Sequence, residues 1–196
     1  MIKKSASIFI ILFLCFAWCV SAQNKYEREY RIRKVQFPEK ALGYIENKLV
    51  GAKRIRFYKE TDSAKVSYEA KFKKNRLWYS IEFDKMGALE DIEILIKSID
   101  IPNETFKTIN NYLSDHFTTF RIRKIQQQYP VTNQETAEET VKNAFQNLML
   151  PYINYELIIS GKKESDFNQY EVLFDATGNF KSLRKSLPPN YDHVLY

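Results

Sequence analysis

The stretch KVSYEAKFKKNRLWYSIEFDKMG, residues 65–87, decides the fold. In it Val66, Tyr68, Ala70 and Phe72 alternate with Lys65, Ser67, Glu69, Lys71 and Lys73. After a short turn around Lys74-Asn75, Leu77, Tyr79, Ile81 and Phe83 alternate with Trp78, Ser80 and Glu82. A period of two puts the apolar set on one face of a sheet and the polar set on the other, so the segment reads as an antiparallel hairpin. Asp84 to Gly87 then reads as a β-turn, with Asp starting it and Gly supplying positive φ.

The neighbouring segments extend the pattern. Upstream, Ile55 and Phe57 alternate with Arg54, Arg56 and Tyr58. Before them, Phe37-Pro38-Glu39 opens a helix whose stripe is Leu42, Ile45 and Leu49, with Gly51 as its C-terminal stop. Downstream, Ile92, Ile94 and Ile96 give a fourth strand. The same order then recurs. Ile101-Pro102-Asn103-Glu104 starts a helix with the stripe Phe106, Ile109, Leu113 and Phe117. Arg121-Ile122-Arg123 echoes Arg54-Ile55-Arg56, and Tyr170 to Asp175 with Gly178 echoes Tyr79 to Asp84 with Gly87. The offset grows from 64 (Pro38 to Pro102) and 67 (Ile55 to Ile122) to 91 (Phe83 to Phe174), so an insertion of roughly 24 residues lies in the second half. Thr132 and Glu135 have the spacing of a capping box, and Ala137, Val141, Ala144, Phe145 and Leu148 share one helical face before Pro151.

The expected fold is therefore α+β: two tandem helix-plus-four-stranded antiparallel meander repeats forming one curved sheet, with an inserted helix at about 132–150 in the second. The expected divisions are a signal peptide (1–22), an N-terminal extension (23–36), the two repeats (37–98 and 99–187) and a C-terminal tail (188–196). The run Gly-Ala-Lys-Arg-Ile-Arg-Phe (51–57), with Tyr-Glu-Ala-Lys-Phe (68–72) and Tyr-Ser-Ile-Glu-Phe-Asp (79–84), resembles the PepSY-like periplasmic proteins, whose fold is similar to that of the β-lactamase inhibitor protein. The resemblance covers most of 37–187 and implies two repeats joined edge to edge. The chain departs from it in the inserted helix and in Thr61-Asp62-Ser63-Ala64, where acidic turn glycines are usual. A shared fold does not carry a shared function.

Lys3 and Lys4, the apolar run from Ile8 to Val20, and Val20-Ser21-Ala22 before Gln23 form a secretory signal. The run is too short for a comfortable membrane span. Trp18 before Cys19 and Leu14 before Cys15 do not fit a lipidation site. Cleavage near Ala22-Gln23 predicts a periplasmic or secreted protein without a remaining membrane span. Both cysteines fall in the signal, so the mature part has no disulfide, thiolate metal site or cysteine nucleophile. Losing Lys3 and Lys4 takes the formal charge from +6 to +4, too mild to point to nucleic acid.

No catalytic constellation emerges. His116 stands at a helix end and His193 in the tail, too far apart in sequence to suggest a metal pair. Asp84 to Gly87 and Asp175 to Gly178 are too short for calcium loops. Glu69 and Glu82 read as members of a solvated sheet face with cross-strand charge pairs. No glycine-rich phosphate loop or nucleophile motif is present. The expected protein is thus a non-enzymatic monomer with no cofactor and no metal. Its partner is an unknown protein or peptide, held on the polar sheet face by Arg54, Arg56, Tyr58 and Trp78, since Trp, Tyr and Arg dominate interfaces. The alternative is a small-ligand or envelope-stress protein with a pocket between the inserted helix and the sheet.

Overall fold

Strand and helix periods settle into one layer of sheet with helices on its outer side. The computed structural model describes residues 23–25, 27–62, 65–163 and 165–186. The expected signal peptide, and with it both cysteines, and the tail with His193 lie outside the described residues. The chain runs β1 (Gln23–Lys25), β2 (Glu27–Ile32), α1 (Glu39–Leu49), β3 (Lys53–Asp62), β4 (Lys65–Lys74), β5 (Leu77–Asp84), β6 (Leu89–Ile96), α2 (Asn103–His116), β7 (Thr119–Pro130), α3 (Ala137–Phe145), β8 (Asn154–Lys163), β9 (Asp166–Asp175) and β10 (Phe180–Ser186).

From β2 to β10 the strands pair in sequence order, each antiparallel to the next, and β1 adds in parallel beside β10. β1 and β2 thus sit at opposite ends of the strand order, yet a single residue separates them. Consecutive Cα atoms are only about 3.8 Å apart, so the two edges of the meander must meet across this N-terminal segment. The sheet is rolled into a barrel whose seam is closed by β1 and β2.

Register follows the alternation. Tyr68 faces Phe83, Ala70 faces Ile81, and Phe72 faces Tyr79. These side chains point outward and are covered by the three helices, so the apolar core lies between the sheet and the helices. Phe72, Ile81, Phe83, Ile92, Ile94 and Phe174 are fully buried there. The hairpin between β4 and β5 turns through Asn75 (φ 48°) and Arg76 (φ 73°), the two positive-φ positions that a two-residue turn requires. α1 contributes Ala41 and Ile45 to the core, and α2 contributes Thr105, Ile109 and Leu113.

The inserted helix differs from its expected form. It spans Ala137–Phe145 and is capped by Thr136, whose Oγ1 accepts from the Glu139 N–H while Glu139 accepts from the Thr136 N–H. The sequence contains the Thr-x-x-Glu spacing twice in succession, and the second copy, next to the apolar stripe, is the one that caps. Thr132 instead accepts from the Gln134 N–H in a turn, and Glu135 accepts from Tyr152 and Asn143. The helix lies against the sheet. Phe145 stacks on Tyr79 with ring centroids 4.6 Å apart and on Phe72 at 6.2 Å, while Val141 and Ala144 are buried beneath it. The space where a pocket was expected between helix and sheet is filled by these side chains.

Two turn glycines lock helices to the sheet. Gly87 (φ 76°) approaches the first turn of α1, where a Cβ would stand 3.0 Å from the Ala41 nitrogen. Gly178 (φ 89°) approaches α2, where a Cβ would stand 2.6 Å from the Thr105 carbonyl oxygen. Gly178→Ala therefore combines backbone strain with a clash against main chain, and is expected to cost about 2–3 kcal/mol in urea unfolding. Gly43, on the exposed side of α1 with nothing within 4 Å of its Cβ position, serves as the control. Gly43→Ala is expected to add about 0.5–1 kcal/mol, because alanine restricts the unfolded chain and is the better helix former.

Candidate functional site

The polar set of the strands faces inward. Tyr58 lies opposite Glu69, and Glu69 opposite Glu82. Arg56 lies opposite Lys71, and Lys71 opposite Ser80. Lys73 lies opposite Trp78. Arg56, Tyr58 and Trp78 therefore share the inner face, as the alternation implies. Arg54 does not follow it. A bulge between Lys53 and Arg56 puts Arg54 at φ 57°, and its guanidinium swings over the Trp78 ring, 5.5 Å from the centroid.

The inner face was expected to be solvated, and here the structure corrects the reading. Because the sheet closes, its middle is shut from water: Glu60, Glu69, Glu93, Gln126 and Glu171 are all buried. The face divides into two regions of opposite charge. At one end is an acid-rich cavity of about 200 Å³ whose lining includes Glu82, Asp91, Glu93, Glu156 and Glu171. At the other end is a basic mouth.

The acidic region contains two carboxylate groups. In the first, Glu29, Glu60 and Glu69 have carboxylate oxygens within 4.8 Å of one another. The Lys71 ammonium lies among them, 3.1 Å from Glu29 and 2.6 Å from Glu69. Burial works against its charge, but Glu69 and Glu29 outweigh that, so Lys71 is held above its ordinary range. In the second, Glu82, Asp91 and Glu93 are gathered equally closely. Glu93 accepts from the Gln126 amide, and Asp91 Oδ2 accepts from Gln128 at 3.0 Å. Burial, with Glu90 and Glu69, pushes the Asp91 carboxyl up to about 7. Burial, with Glu156 and Glu82, pushes Glu93 well above the usual range.

The mouth is built around Trp78. The Lys73 ammonium stands over its ring at 5.8 Å, beside the Arg54 contact. Deeper in, Lys71 stands 4.9 Å over Tyr58. Trp78 borders an open groove of about 540 Å³ shared with Arg76, Leu95, Lys97, Arg123 and Lys124. All of these partners are exposed, Leu95 to 40%. The structure thus brings Arg54 onto Trp78, while Arg56, opposite Lys71, and Tyr58, opposite Glu69, lie further along the inner face toward the acids. Arg76, Leu95 and Lys124 join Trp78 at the groove although no local motif marks them. Leu95 and Lys124 come from β6 and β7, whose pairing spans α2.

His116 stacks on Tyr112, with ring centroids 3.9 Å apart, and its Nδ1 bonds the Tyr112 carbonyl oxygen at 2.8 Å. Its place is structural. Among the described residues no helix is long and apolar enough to cross a membrane.

No family model matches the chain, and no curated protein matches it in sequence. Solved structures do. A DUF2874 family protein from Bacteroides ovatus superposes on 76% of this chain and 86% of its own, with a TM-score of 0.50 and 9% identity. A DUF2874 family protein from Bacteroides uniformis covers 76% and 89%, with a TM-score of 0.50 and 11% identity. A BLIP-like protein from Bacteroides fragilis covers 82% and 93%, with a TM-score of 0.47 and 10% identity. At such identities the likeness to the ovatus and uniformis proteins is one of fold: an α+β arrangement of helices on an antiparallel sheet.

Proposed function

We propose that the mature chain is an exported, non-enzymatic binding protein that takes an acidic segment of a protein or peptide at the barrel mouth. The observation that carries this reading is the half-buried Trp78 ring with Arg54 and Lys73 over it, bordering an exposed basic groove. An indole with cations already stacked on it offers apolar area at little entropic cost, and a ring of lysine and arginine selects acidic partners and speeds their encounter. The groove is open, which suits a chain segment better than an enclosed small molecule. The same reading takes the chain as one PepSY-like unit written twice. In its support, a 3-10 turn (Lys34–Gln36, Ser98–Asp100) precedes each of α1 and α2, and four strands follow each helix. The amino-terminal signal supports its export to the periplasm or beyond.

Trp78 is the only tryptophan after residue 22, so fluorescence of the mature protein reports on this mouth. Titration with an aspartate- and glutamate-rich peptide is expected to change its emission saturably, with an affinity that falls as salt rises. Paired pull-downs from envelope extract with wild type, Trp78→Ala and Arg54→Ala/Arg56→Ala are expected to lose the same partner in both variants, with Trp78→Ala costing about tenfold or more in affinity. Equal recovery of every partner by all three proteins would sink the assignment of this face.

A further inference from the structure

The outer, helical side of the molecule has a feature that peptide binding at the mouth does not use. α1 and α3 lie side by side there, with the Lys48 ammonium 5.1 Å over the Phe145 ring. Between the two helices runs an open groove of about 420 Å³. Lys40, Gly43, Tyr44 and Lys48 line it from α1, and Glu138, Val141 and Lys142 line it from α3. Tyr44 stacks on Phe83 and Val141 is buried, so the floor is apolar. Lys40 and Lys142 are exposed and Lys48 is half-buried.

A second observation, Gly43 itself, points to an occupant. The other glycines are accounted for within the chain: Gly51, Gly87 and Gly178 stand at positive φ, and a Cβ on Gly161 would meet the Phe117 ring at 2.8 Å. Gly43 has neither reason. It sits inside α1, its φ is not positive, and nothing lies within 4 Å of its Cβ position. Glycine inside a helix is destabilising relative to alanine, through the greater freedom it gives the unfolded chain. What the missing side chain provides is a gap in the groove wall, where another backbone can approach α1 closely.

We infer that the groove between α1 and α3 docks an amphipathic helix of a partner protein, with acidic residues flanking its apolar stripe and its backbone packed against Gly43. Length supports a helix. Lys40 and Lys48 are eight residues apart on α1, about 12 Å along its axis, and apolar anchors at i, i+4 and i+7 of a partner helix span about 10 Å. Charge supports acidic flanks. The groove has three lysines against the single Glu138, and their stems extend its apolar sides while the ammonium groups reach outward. Its openness suits a helix laid along it better than a small molecule, which needs enclosure. The inserted helix α3 thereby gains a role: it supplies one wall of a docking groove on the outside of the barrel, apart from the Trp78 mouth.

The test uses the full mature chain and a labelled synthetic helix with leucines at i, i+4 and i+7 and glutamates on either side of them. Fluorescence anisotropy is expected to show saturable binding that weakens with salt, and the same peptide with lysines in place of the glutamates is expected to bind about tenfold more weakly or less. Gly43→Leu fills the groove without touching the fold, since nothing stands near its Cβ position. It is expected to keep or raise the melting temperature and yet to lose about tenfold or more in affinity for the helix, so lost binding is not lost folding. Lys40→Gln/Lys142→Gln, both at exposed positions, is expected to bind the acidic helix more weakly and with a shallower salt dependence. Trp78→Ala is expected to bind the helix as wild type does, and Gly43→Leu to leave the Trp78 emission change with the aspartate- and glutamate-rich peptide intact. The two sites are thus read separately, and failure of one leaves the other's result standing. Undiminished helix binding by Gly43→Leu, equal binding of the lysine-flanked helix, loss of helix binding in Trp78→Ala, or no saturable binding by wild type would each overturn the proposal.

Discussion

Replacing Lys71 by methionine is expected to destabilise the protein by about 3 kcal/mol, the low end of what breaking a buried ion pair costs. The ammonium lies between Glu69, whose side chain is 4% exposed, and Glu29, at 14%. Methionine keeps most of the volume and removes the charge, which leaves carboxylates in the barrel interior without their cation. The Lys71 side chain itself is 35% exposed, so water screens part of the interaction and the estimate stays at the lower bound. The folded state holds the Lys71 pKa above its ordinary value. Its contribution is therefore fully present below about pH 10.5 and is lost only as pH rises past that point. Chemical denaturation at pH 7 measures the loss. The companion variant Lys71→Met/Glu69→Gln is expected to recover much of it. Failure of the second substitution to restore stability would show that packing, and not charge, sets the cost.

The second large effect is a dependence on pH that runs opposite to ordinary acid denaturation. The protein is expected to be more stable at pH 5 than at pH 8, by on the order of 3 kcal/mol. The sign follows from Asp91 and Glu93. Both bind a proton more readily folded than unfolded, Asp91 near 7 and Glu93 well above its usual value. Between the unfolded value near 4 and the folded value near 7 the native state holds the extra protons, so stability falls as pH rises through that window. The groups facing Asp91 are Glu90 and Glu69, opposed by Lys65. Those facing Glu93 are Glu156, Glu82 and Asp91, opposed by Lys124. Asp91→Asn/Glu93→Gln is expected to flatten the profile and to raise stability at pH 8. A thermal-melting series from pH 5 to pH 8 on both proteins checks it. An unchanged slope in the variant would assign the dependence to other groups.

Both effects come from an interior that could not be read from the chain. Alternation gives the strands and the sharing of one face by Arg56, Tyr58 and Trp78, while the register of Glu69 against Glu82 and of Lys73 against Trp78 comes from a turn at Asn75-Arg76, one residue beyond the expected Lys74-Asn75. These are local consequences of the pleat, which sends neighbouring side chains to opposite sides. The helix stripes, Pro38 and Pro102 at the helix starts, and the turn glycines Gly87 and Gly178 are legible for the same reason: each depends on a few adjacent residues.

What a polar face meets is a different matter. The same lysine and glutamate pattern suits an open sheet in water or the inside of a closed barrel. Nothing local marks β1 and β2 as the strands that pair with β10 and β3. That closure turns a surface of paired charges into a buried acidic interior, while Leu95 and Lys124 reach Trp78 through the pairing of β5 with β6 and of β6 with β7, across α2. The bulge that moves Arg54 off the regular alternation has no pattern of its own either. Periodicity in the chain specified which side each residue takes. Only the rolled sheet specified whether that side is wet or dry, because solvent exclusion depends on strands far apart in the chain coming together.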